Sequence, residues 1–348
     1  MKKRIFVAPL DWGLGHASRC IPLINALLQH NFEPIIASDG VALALLKKEF
    51  PEITCLELPG YNIKYAKKGY LFKFKLLKDS PKVIKAIKAE KKAVENIIVT
   101  YKIDGVISDN RLGVYNKNLP CVFITHQLQV LSGNTTWLST KLHTKIIHNF
   151  NECWIPDNRD EPNLSGKLGH TENGHLNTKY IGPLSRFKKV DCDIKYDVMV
   201  LLSGPEPQRT MLEEKLLIDF ESYSGKVLFV KGVVEKEFSL IEKNNLTICN
   251  YMTSDVLEKA LNESSFIVSR SGYTTIMDLA KLGKKAFFIP TPGQFEQEYL
   301  AKRLFDGGFV PYCKQDDFSI DKLETIKDYK GLENFDYEVN FKRLFSLF

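Results

Sequence analysis

The sequence predicts an α/β fold of two Rossmann-like, doubly wound parallel-sheet domains. Short apolar runs rich in β-branched residues alternate with segments of helical spacing along most of the chain, which is typical of a parallel sheet with helices on both faces. The alternation stops near residues 182–195, where Gly182-Pro183 precedes a polar stretch, and then begins again. The length of 348 residues also exceeds the roughly 250–300 residues at which a single core stops growing.

The domain boundaries follow from that interruption. We expect an N-terminal domain over residues 1–182 and a C-terminal domain over residues 183–335. Residues 336–348 contain a short apolar stripe between Val339 and Phe345. The stripe predicts a helix that packs back on the N-terminal domain.

The elements of each domain are assigned by the same criteria. Arg4 to Leu10 is an apolar run of strand length, whereas Ser18 to His30 has apolar residues at helical spacing. In the first domain, strands are expected at 4–10, 33–38, 53–58, 103–108, 121–125 and 152–155, and helices at 18–30 and 41–49. In the second, strands are expected at 197–202, 226–231, 245–250, 265–269, 285–289 and 309–312, and helices at 208–222, 254–262, 274–282 and 295–306.

Composition excludes several classes of protein. Apolar residues make up 44% of the chain and charged residues 26%, which excludes bulk disorder. The apolar runs are shorter than the roughly 18–20 residues of a membrane helix. The first run ends at Asp11, too early for a signal peptide, so we expect a cytoplasmic protein. The seven cysteines lack zinc-type spacing, which favours reduced thiols and no metal site.

Positive charge is concentrated in the N-terminal part. Residues 1–150 carry 22 Lys and Arg against 11 Asp and Glu, while the whole chain has a net charge of +6. The segment Lys64–Lys92 contains eleven lysines, with aromatic side chains among the first of them. This composition suits contact with an anionic membrane surface. A solvated lysine-rich face is the alternative, and nucleic acid is not expected.

Ligands of open α/β sheets bind at the carboxyl ends of the strands, and the first such end carries the loop Asp11 to Arg19. Gly13 and Gly15 allow a tight turn and the close approach of a ligand. His16 would lie at the start of the next helix, where a neutral imidazole can act as a general base near pH 7. The alternative is a helix-capping loop with a surface histidine.

The second and third strand ends carry Ser108-Asp109 and Thr125-His126-Gln127. A carboxylate in the position of Asp109 can orient a histidine and stabilise its protonated form, although Asp is equally suited to cap a helix. His126 and Gln127 are candidates for contacts with a sugar or an acceptor.

The fourth strand end, Ser269 to Asp278, predicts an anion site. A strand runs into the Ser271-Gly272 loop and then into a helix, whose free N–H groups and dipole would bind a diphosphate. Asp278 lies one turn further, where its carboxylate would accept hydrogen bonds from ribose hydroxyls. The loops at 203–209 and 290–298 follow other strands and would add polar groups to the same rim.

At these positions the sequence resembles the inverting GT-B glycosyltransferases related to MurG, the peptidoglycan N-acetylglucosaminyltransferase. The similarity covers nearly the whole chain in the order of its elements, and it implies two Rossmann-like domains facing each other across a cleft. The residues that carry it are Ser271-Gly272-Tyr273-Thr274-Thr275 with Asp278 and Gly283, Gln297 with Tyr299-Leu300-Ala301, the loop Gly13-Leu14-Gly15-His16 and the hinge Gly182-Pro183-Leu184-Ser185-Arg186.

The resemblance implies metal-independent transfer of a sugar from a nucleotide-sugar, usually a UDP-sugar, which is a substrate and not a cofactor. His16 and Asp109 resemble the dyad in which His removes the acceptor proton and Asp steadies the imidazolium, while His126 and Gln127 fall on the acceptor side. A lipid-linked acceptor and a peripheral location on the inner face of the membrane are also implied. The residues placed at the donor are Gly13, Gly15, Arg186, Ser203, Ser271, Gly272, Thr274, Asp278, Gln297 and Glu298.

Two departures from the family pattern concern the donor. Asp278 stands where Glu is usual, which lengthens or changes the ribose contact, and Ser203-Gly204-Pro205-Glu206 replaces a glycine-rich loop. Asp191-Cys192-Asp193 matches the metal-binding D-x-D of another glycosyltransferase fold, but it lies in the expected linker, and we interpret it as a coincidence.

Two other functions are compatible with these residues. A nucleotide-sugar hydrolase or epimerase on the same fold is the first, because Arg19 completes a G-x-G-H-x-x-R loop similar to that of a flagellin-sugar hydrolase. Water would then replace the acceptor. A non-catalytic polyanion-binding protein is the second, although such a protein would not need the polar rim of the C-terminal domain.

Overall fold

The structure is a computed structural model of the chain. It describes residues 2–61, 72–132, 135–171, 176–332 and 338–348, and within the helix that begins at Phe72 it describes side chains from residue 84 onward. The first part of Lys64–Lys92, on which the membrane prediction rests, lies outside the described residues. The chain divides into two compact units: the first extends to Ser185 and includes the C-terminal segment, and the second begins at Arg186.

The first unit is built on a seven-stranded parallel sheet. Its strands lie in the order β3-β2-β1-β4-β5-β6-β7, and each neighbouring pair is parallel. The order reverses between β1 and β4, so the carboxyl ends of these two strands form a topological switch point. The strands are β1 (Arg4–Pro9), β2 (Glu33–Ser38), β3 (Cys55–Glu57), β4 (Gly105–Asp109), β5 (Cys121–Ile124), β6 (Glu152–Ile155) and β7 (Thr178–Tyr180).

Helices cover the faces of this sheet, which explains the composition of its strands. Every residue of β4 and β5 is buried, and strands covered on both faces read as continuous apolar runs rather than as alternating ones. The helices of this unit are α1 (Gly15–Gln29), α2 (Gly40–Glu49), α3 (Phe72–Tyr101) and α4 (Thr136–Ile147).

The second unit repeats the design with six strands in the order β10-β11-β9-β8-β12-β13. Only the edge pair β10–β11 is antiparallel among the strand pairs described here. Its switch point lies between β8 and β12. The strands are β8 (Tyr196–Leu201), β9 (Val227–Val230), β10 (Leu240–Lys243), β11 (Leu246–Cys249), β12 (Ser264–Ser269) and β13 (Lys285–Phe288), and the helices are α5 (Gln208–Glu221), α6 (Ser254–Asn262), α7 (Tyr273–Leu282) and α8 (Phe295–Asp306).

The two parallel sheets confirm the predicted fold class, but some elements differ from expectation. α4, β7 and β10 lie outside the segments in which the sequence predicts elements. β10 is exposed at all four positions, so it lacks the apolar pattern of a buried strand. The strand expected at 309–312 is reduced to a single bridge between Phe288 and Tyr312. Among the described helices, none combines the length and the apolar character needed to cross a membrane.

The C-terminal segment packs on the first unit. After the short helix α9 (Phe341–Leu344), the ring of Phe345 meets His30 and Phe32 edge-on, with centroid separations of 5.5 and 5.7 Å. Trp154, which is fully buried, lies 6.4 Å from the ring of Phe348. The end of the chain is therefore part of the core that supports the first sheet.

Replacing Phe345 by Ala is expected to lower the free energy of unfolding of the first unit by about 3 kcal/mol, because truncating a buried aromatic side chain loses its contacts and leaves a cavity. The three tryptophans, Trp12, Trp137 and Trp154, all lie in the first unit. Urea denaturation followed by tryptophan fluorescence therefore reports on that unit. Phe238→Ala, at an exposed position of the second unit, is the control, and an equal shift of the transition in both variants would contradict this packing.

Candidate active site

The loop after β1 places His16 at the start of a helix. The chain leaves the sheet at Pro9, turns through Gly13, whose φ is 82°, and enters α1 at Gly15. The carboxylate of Asp11 accepts a hydrogen bond of 3.1 Å from the backbone N–H of Ala42, at the start of α2. This bond fastens the loop to a second helix and limits the positions that His16 can take.

His16 meets Asp109 at the switch point of the first sheet. The two residues are 93 positions apart, yet His16 Nδ1 lies 2.8 Å from Asp109 Oδ1. Asp109 is the last residue of β4, and its side chain is fully buried, whereas 13% of the His16 side chain is exposed. The ring is therefore held from the protein side and remains accessible to a substrate.

Arg19 lies at the centre of the same cluster. Its Nε donates to Asp109 Oδ2 at 2.5 Å, and its Nη2 contacts the other carboxylate oxygen. Nη2 also lies 2.9 Å from His16 Nδ1, and Nη1 lies 3.0 Å from His126 Nδ1. The sequence pattern includes Arg19 only as a member of the loop, and its contact with three other site residues becomes visible only in the structure.

These contacts determine the charges of Asp109 and His16. Burial alone would raise the pKa of the Asp109 carboxyl, but Arg19 and His16 hold it well below its usual value, so Asp109 is ionised at neutral pH. Burial lowers the pKa of His16, and the neighbouring Arg19 guanidinium lowers it further, against the opposing effect of Asp109. The imidazole is therefore neutral at pH 7 and can accept a proton.

The neighbours of Nδ1 decide which ring nitrogen accepts that proton. A proton on Nδ1 would donate to the Asp109 carboxylate and leave the lone pair on Nε2, as a general base requires. A hydrogen bond from Arg19 to Nδ1 would instead place the proton on Nε2. The ionised carboxylate at 2.8 Å favours the first tautomer, because it lowers the energy of an N–H that points at it.

A pocket of about 170 Å³ opens beside this cluster, entirely within the first unit. Its walls are mostly apolar, with the carboxylate, amide and imidazole of Asp11, Gln127 and His143 among them. Burial lowers the pKa of His143 to about 4, so the pocket presents it as a neutral ring. The lining residues are Leu10, Asp11, Trp12, Tyr61, Asn110, Leu112, Gln127, Val130 and His143.

The two residues predicted on the acceptor side lie in different surroundings. Gln127 lines the pocket. His126 is buried against Arg19, so its described contact is with the charge cluster rather than with the pocket. A role for either residue toward an acceptor remains a prediction.

A second buried arginine fixes the pocket wall. Arg111 Nε donates to Glu90 at 2.5 Å, and its Nη1 donates to Asp39 at 2.8 Å. Glu90 also accepts from the hydroxyl of Tyr61 at 2.7 Å, and that hydroxyl accepts from the backbone N–H of Leu112 at 3.0 Å. Two pocket residues are thus anchored to one ion-pair network that joins α3 to the loop after β4.

In the second unit, the loops at the switch point leave room for a ligand. Gly272 precedes the first turn of α7, and a Cβ built there would meet, among the described atoms, only Thr275 Oγ1 at 3.9 Å. Gly204, in the loop after β8, has a φ of 111° and a Cβ there would meet no described atom within 4 Å. Open space at the start of a helix, where the helix dipole is positive, suits an anion.

Three of the residues predicted at the donor form hydrogen bonds with nearby residues of the second unit. The Ser271 hydroxyl donates to the Gln297 carbonyl at 2.8 Å, and the Gln297 side-chain oxygen accepts from the N–H of Thr291 at 2.8 Å. Glu298 accepts from the N–H of Gly293 at 2.9 Å. Gln297 and Glu298 therefore brace the turn before α8, and their contact with a sugar remains a prediction.

The other predicted donor residues are spread over the second unit. Arg186 donates to the Ser254 hydroxyl, at the start of α6, at 3.0 Å. Thr274 and Asp278 are buried on α7, and Ser203 is partly exposed in the loop after β8. Asp191 and Asp193 are exposed, and no three His, Cys, Asp or Glu side chains in the described part of the chain are grouped as metal ligands.

Replacing Arg19 by Met is expected to raise the pKa of His16, because the cation beside the ring is lost while the Asp109 carboxylate remains. NMR titration of the His16 ring measures this directly. Arg19→Lys keeps a positive charge and should keep the pKa low, and Arg209→Met, which removes a buried arginine of the second unit, should leave it unchanged. A His16 pKa that stays the same or falls in Arg19→Met would show that Arg19 does not tune the ring.

Comparison with known proteins agrees with these observations. Residues 219–330 match the C-terminal domain of glycosyltransferase family 28. The chain is 26% identical over 352 residues to the UDP-N-acetylglucosamine–N-acetylmuramyl-(pentapeptide) pyrophosphoryl-undecaprenol N-acetylglucosamine transferase of Clostridium tetani, covering 96% of this chain and 92% of that protein. The enzyme of the same name from Rickettsia bellii is 34% identical over 101 residues, covering 26% of this chain and 28% of that one.

Solved structures with the same fold are also glycosyltransferases. MurG of Acinetobacter baumannii aligns over 100% of this chain and 99% of its own, with a TM-score of 0.57 and 15% identity. The spinosyn forosaminyltransferase SpnP aligns over 96% of this chain and 93% of its own, with a TM-score of 0.63 and 13% identity. The chain is a glycosyltransferase of the GT-B fold, and it is similar to MurG over nearly its whole length.

Proposed function

We propose that the protein transfers a sugar from a UDP-sugar to a hydroxyl group of an acceptor at a membrane surface, with inversion at the anomeric carbon and without a metal ion. The observation that carries the proposal is the contact of 2.8 Å between His16 and the buried carboxylate of Asp109. A neutral ring, an ionised partner and a position at the switch point are what a general base for such a transfer requires.

The first unit would supply the base. His16 Nε2 takes the proton of the acceptor hydroxyl while its oxygen attacks the anomeric carbon, and Asp109 stabilises the imidazolium that forms. The new bond joins the acceptor oxygen to that carbon, and the bond from the carbon to the diphosphate oxygen breaks. A single displacement from the opposite face inverts the anomeric configuration.

The second unit would hold the donor and stabilise the leaving diphosphate. The N–H groups and the dipole of α7 favour negative charge at Gly272, so the leaving group can be stabilised without a metal ion. Asp278 would accept hydrogen bonds from the ribose. The matched relatives are named for UDP-N-acetylglucosamine, which supports that nucleotide-sugar as the donor.

The acceptor is proposed from the relatives and from one exposed helix face. The relatives are named for a pyrophosphoryl-undecaprenol acceptor. On α4, Trp137 and Leu142 are 68% and 56% exposed, and the exposed Lys141 and Lys145 share the helix with them. Residues three and four positions apart lie close together on a helix surface, which places Lys141 beside Trp137 and Lys145 beside Leu142. This face therefore offers apolar and cationic side chains to an anionic bilayer.

Replacing His16 by Ala is expected to lower the rate of transfer about 10²–10⁴-fold, because a general base acts on the transition state. UDP affinity should stay nearly unchanged, since the groups proposed to hold the diphosphate and the ribose lie in the second unit. UDP release measures the rate, and calorimetry measures the affinity. His148→Ala, at an exposed position beyond α4, is the control.

Undiminished turnover in His16→Ala would remove His16 from the mechanism. The same assay separates transfer from hydrolysis, because a hydrolase releases UDP equally fast with and without an acceptor. Such acceptor-independent release, again lost in His16→Ala, would assign the dyad to the activation of water.

Replacing Trp137 and Leu142 together by Ser is expected to weaken binding to anionic vesicles, because the apolar contribution to membrane insertion is lost. Co-sedimentation with anionic and neutral vesicles at two salt concentrations measures the binding. Ile218→Ser, at a position of the second unit that is 71% exposed, should bind like the wild type. Equal recovery of the wild type in the supernatant with both kinds of vesicle would contradict the membrane contact.

A further inference from the structure

Arg270 differs from the other buried arginines of the described residues in what surrounds its charge. Its side chain is 1% exposed, and the guanidinium donates only to uncharged oxygens within the described part of the chain. The other three form ion pairs: Arg19 with Asp109, Arg111 with Glu90 and Asp39, and Arg209 with Glu206 and Glu213.

Four hydrogen bonds hold the Arg270 guanidinium. Nη1 donates to the carbonyls of Ile289 and Pro290 at 3.0 and 3.1 Å. Nη2 donates to the Gln208 carbonyl at 2.9 Å and to the Gln315 side-chain oxygen at 2.7 Å. Four of the five N–H donors of the guanidinium are thus used for positioning.

These partners come from the carboxyl ends of different strands. Arg270 itself follows β12, Ile289 and Pro290 follow β13, and Gln208 begins α5 after the loop that leaves β8. One side chain therefore ties together the loops on both sides of the switch point. Ser271 and Gly272, the residues next to it in sequence, open the anion-favouring start of α7.

A buried cation without a countercharge destabilises the unit unless something compensates it. Burial lowers the pKa of Arg270 to about 9, so the group is still charged at neutral pH. Uncharged oxygens satisfy its N–H groups but leave its net charge unmatched. An anion bound at the neighbouring loops would supply the missing charge.

We propose that Arg270 is a positioning residue whose unmatched charge is balanced by the diphosphate of the bound nucleotide, while its four hydrogen bonds fix the loops that contact that nucleotide. Arg270 acts through its hydrogen bonds to these loops and through the field of its charge, and it does not touch the ligand. The role rests on the proposed function, since it requires a nucleoside diphosphate donor. This role of Arg270 makes the affinity of the protein for a nucleotide depend on the charge of the nucleotide as well as on its shape.

The test compares a charged and an uncharged ligand on the full chain. Calorimetry measures the affinity for UDP, and NMR measures the affinity for uridine. The ratio of the UDP affinity to the uridine affinity isolates the contribution of the diphosphate. Arg270→Met should lower this ratio about tenfold or more by removing one unit charge near the anion, while uridine affinity changes little. Arg270→Lys keeps the charge and should keep most of the ratio, even where looser loops weaken both ligands.

Lys284→Met is the matched control. Lys284 is also a partly buried cation bonded to carbonyl oxygens, those of Asn262 and Ser264 at 2.8 Å each, but Ser264 begins β12, at the opposite edge of the sheet. Its loss should leave the ratio unchanged. If Arg270→Met does not fold, Arg270→Gln removes the charge while keeping a hydrogen-bond donor.

The outcomes separate this role from the proposed donor. A wild-type protein that binds no nucleoside diphosphate would overturn the donor and, with it, the role of Arg270. A wild type that binds UDP, with an unchanged ratio in the neutral variants, would overturn the role alone. Equal weakening of UDP and uridine in Arg270→Met and Arg270→Lys would show that the side chain only supports the loops.

Discussion

The buried carboxylate of Asp109 is the group on which the chemistry of the first unit depends. It ends β4 at a point from which solvent is excluded, so its charge has to be matched by the protein. Arg19 provides that match, and His16 completes it at the rim. Because the carboxylate is ionised while the ring is neutral, the pair can take up a proton without first losing one.

Arg19 also limits how strong a base His16 can be. A carboxylate shared with a guanidinium stabilises an imidazolium less than an isolated carboxylate would, and the cation itself repels a protonated ring. The basicity of His16 is therefore set by three effects: burial and the Arg19 guanidinium lower the pKa of the ring, and the Asp109 carboxylate raises it. A weaker base remains unprotonated at lower pH, so the ring is still a neutral proton acceptor at pH 7.

The sequence predicts the sheets well and the partners of charged side chains poorly. Strands such as Gly105–Asp109 and Tyr196–Leu201 are recognisable because burial on both faces requires continuous apolar runs, whereas α4 and β10 are largely exposed and lack that pattern. His16 and Asp109 were identifiable because loops at strand ends are where ligands bind. Apart from the contact of Arg19 with His16, the bonds described for Arg19, Arg111 and Arg270 reach residues 19 to 107 positions away, and sequence spacing carries no information on such distances. Gln297 fits a donor motif, yet its side-chain oxygen is used by Thr291.

Arg270 is treated differently from the other buried arginines, including Arg209 of its own unit, which pairs with Glu206 and Glu213, and the difference follows from the chemistry proposed for each unit. The charged groups around a proton acceptor stay in place during the reaction. In the first unit, Arg19 and Asp109 therefore neutralise each other as an ion pair. A diphosphate would bring its negative charge to the second unit when it binds. A second unit in which a carboxylate neutralised Arg270 would be more stable, but it would attract the diphosphate less. In the proposed role, a guanidinium that the described residues bond only through uncharged oxygens stores electrostatic free energy, which binding of an anion would release.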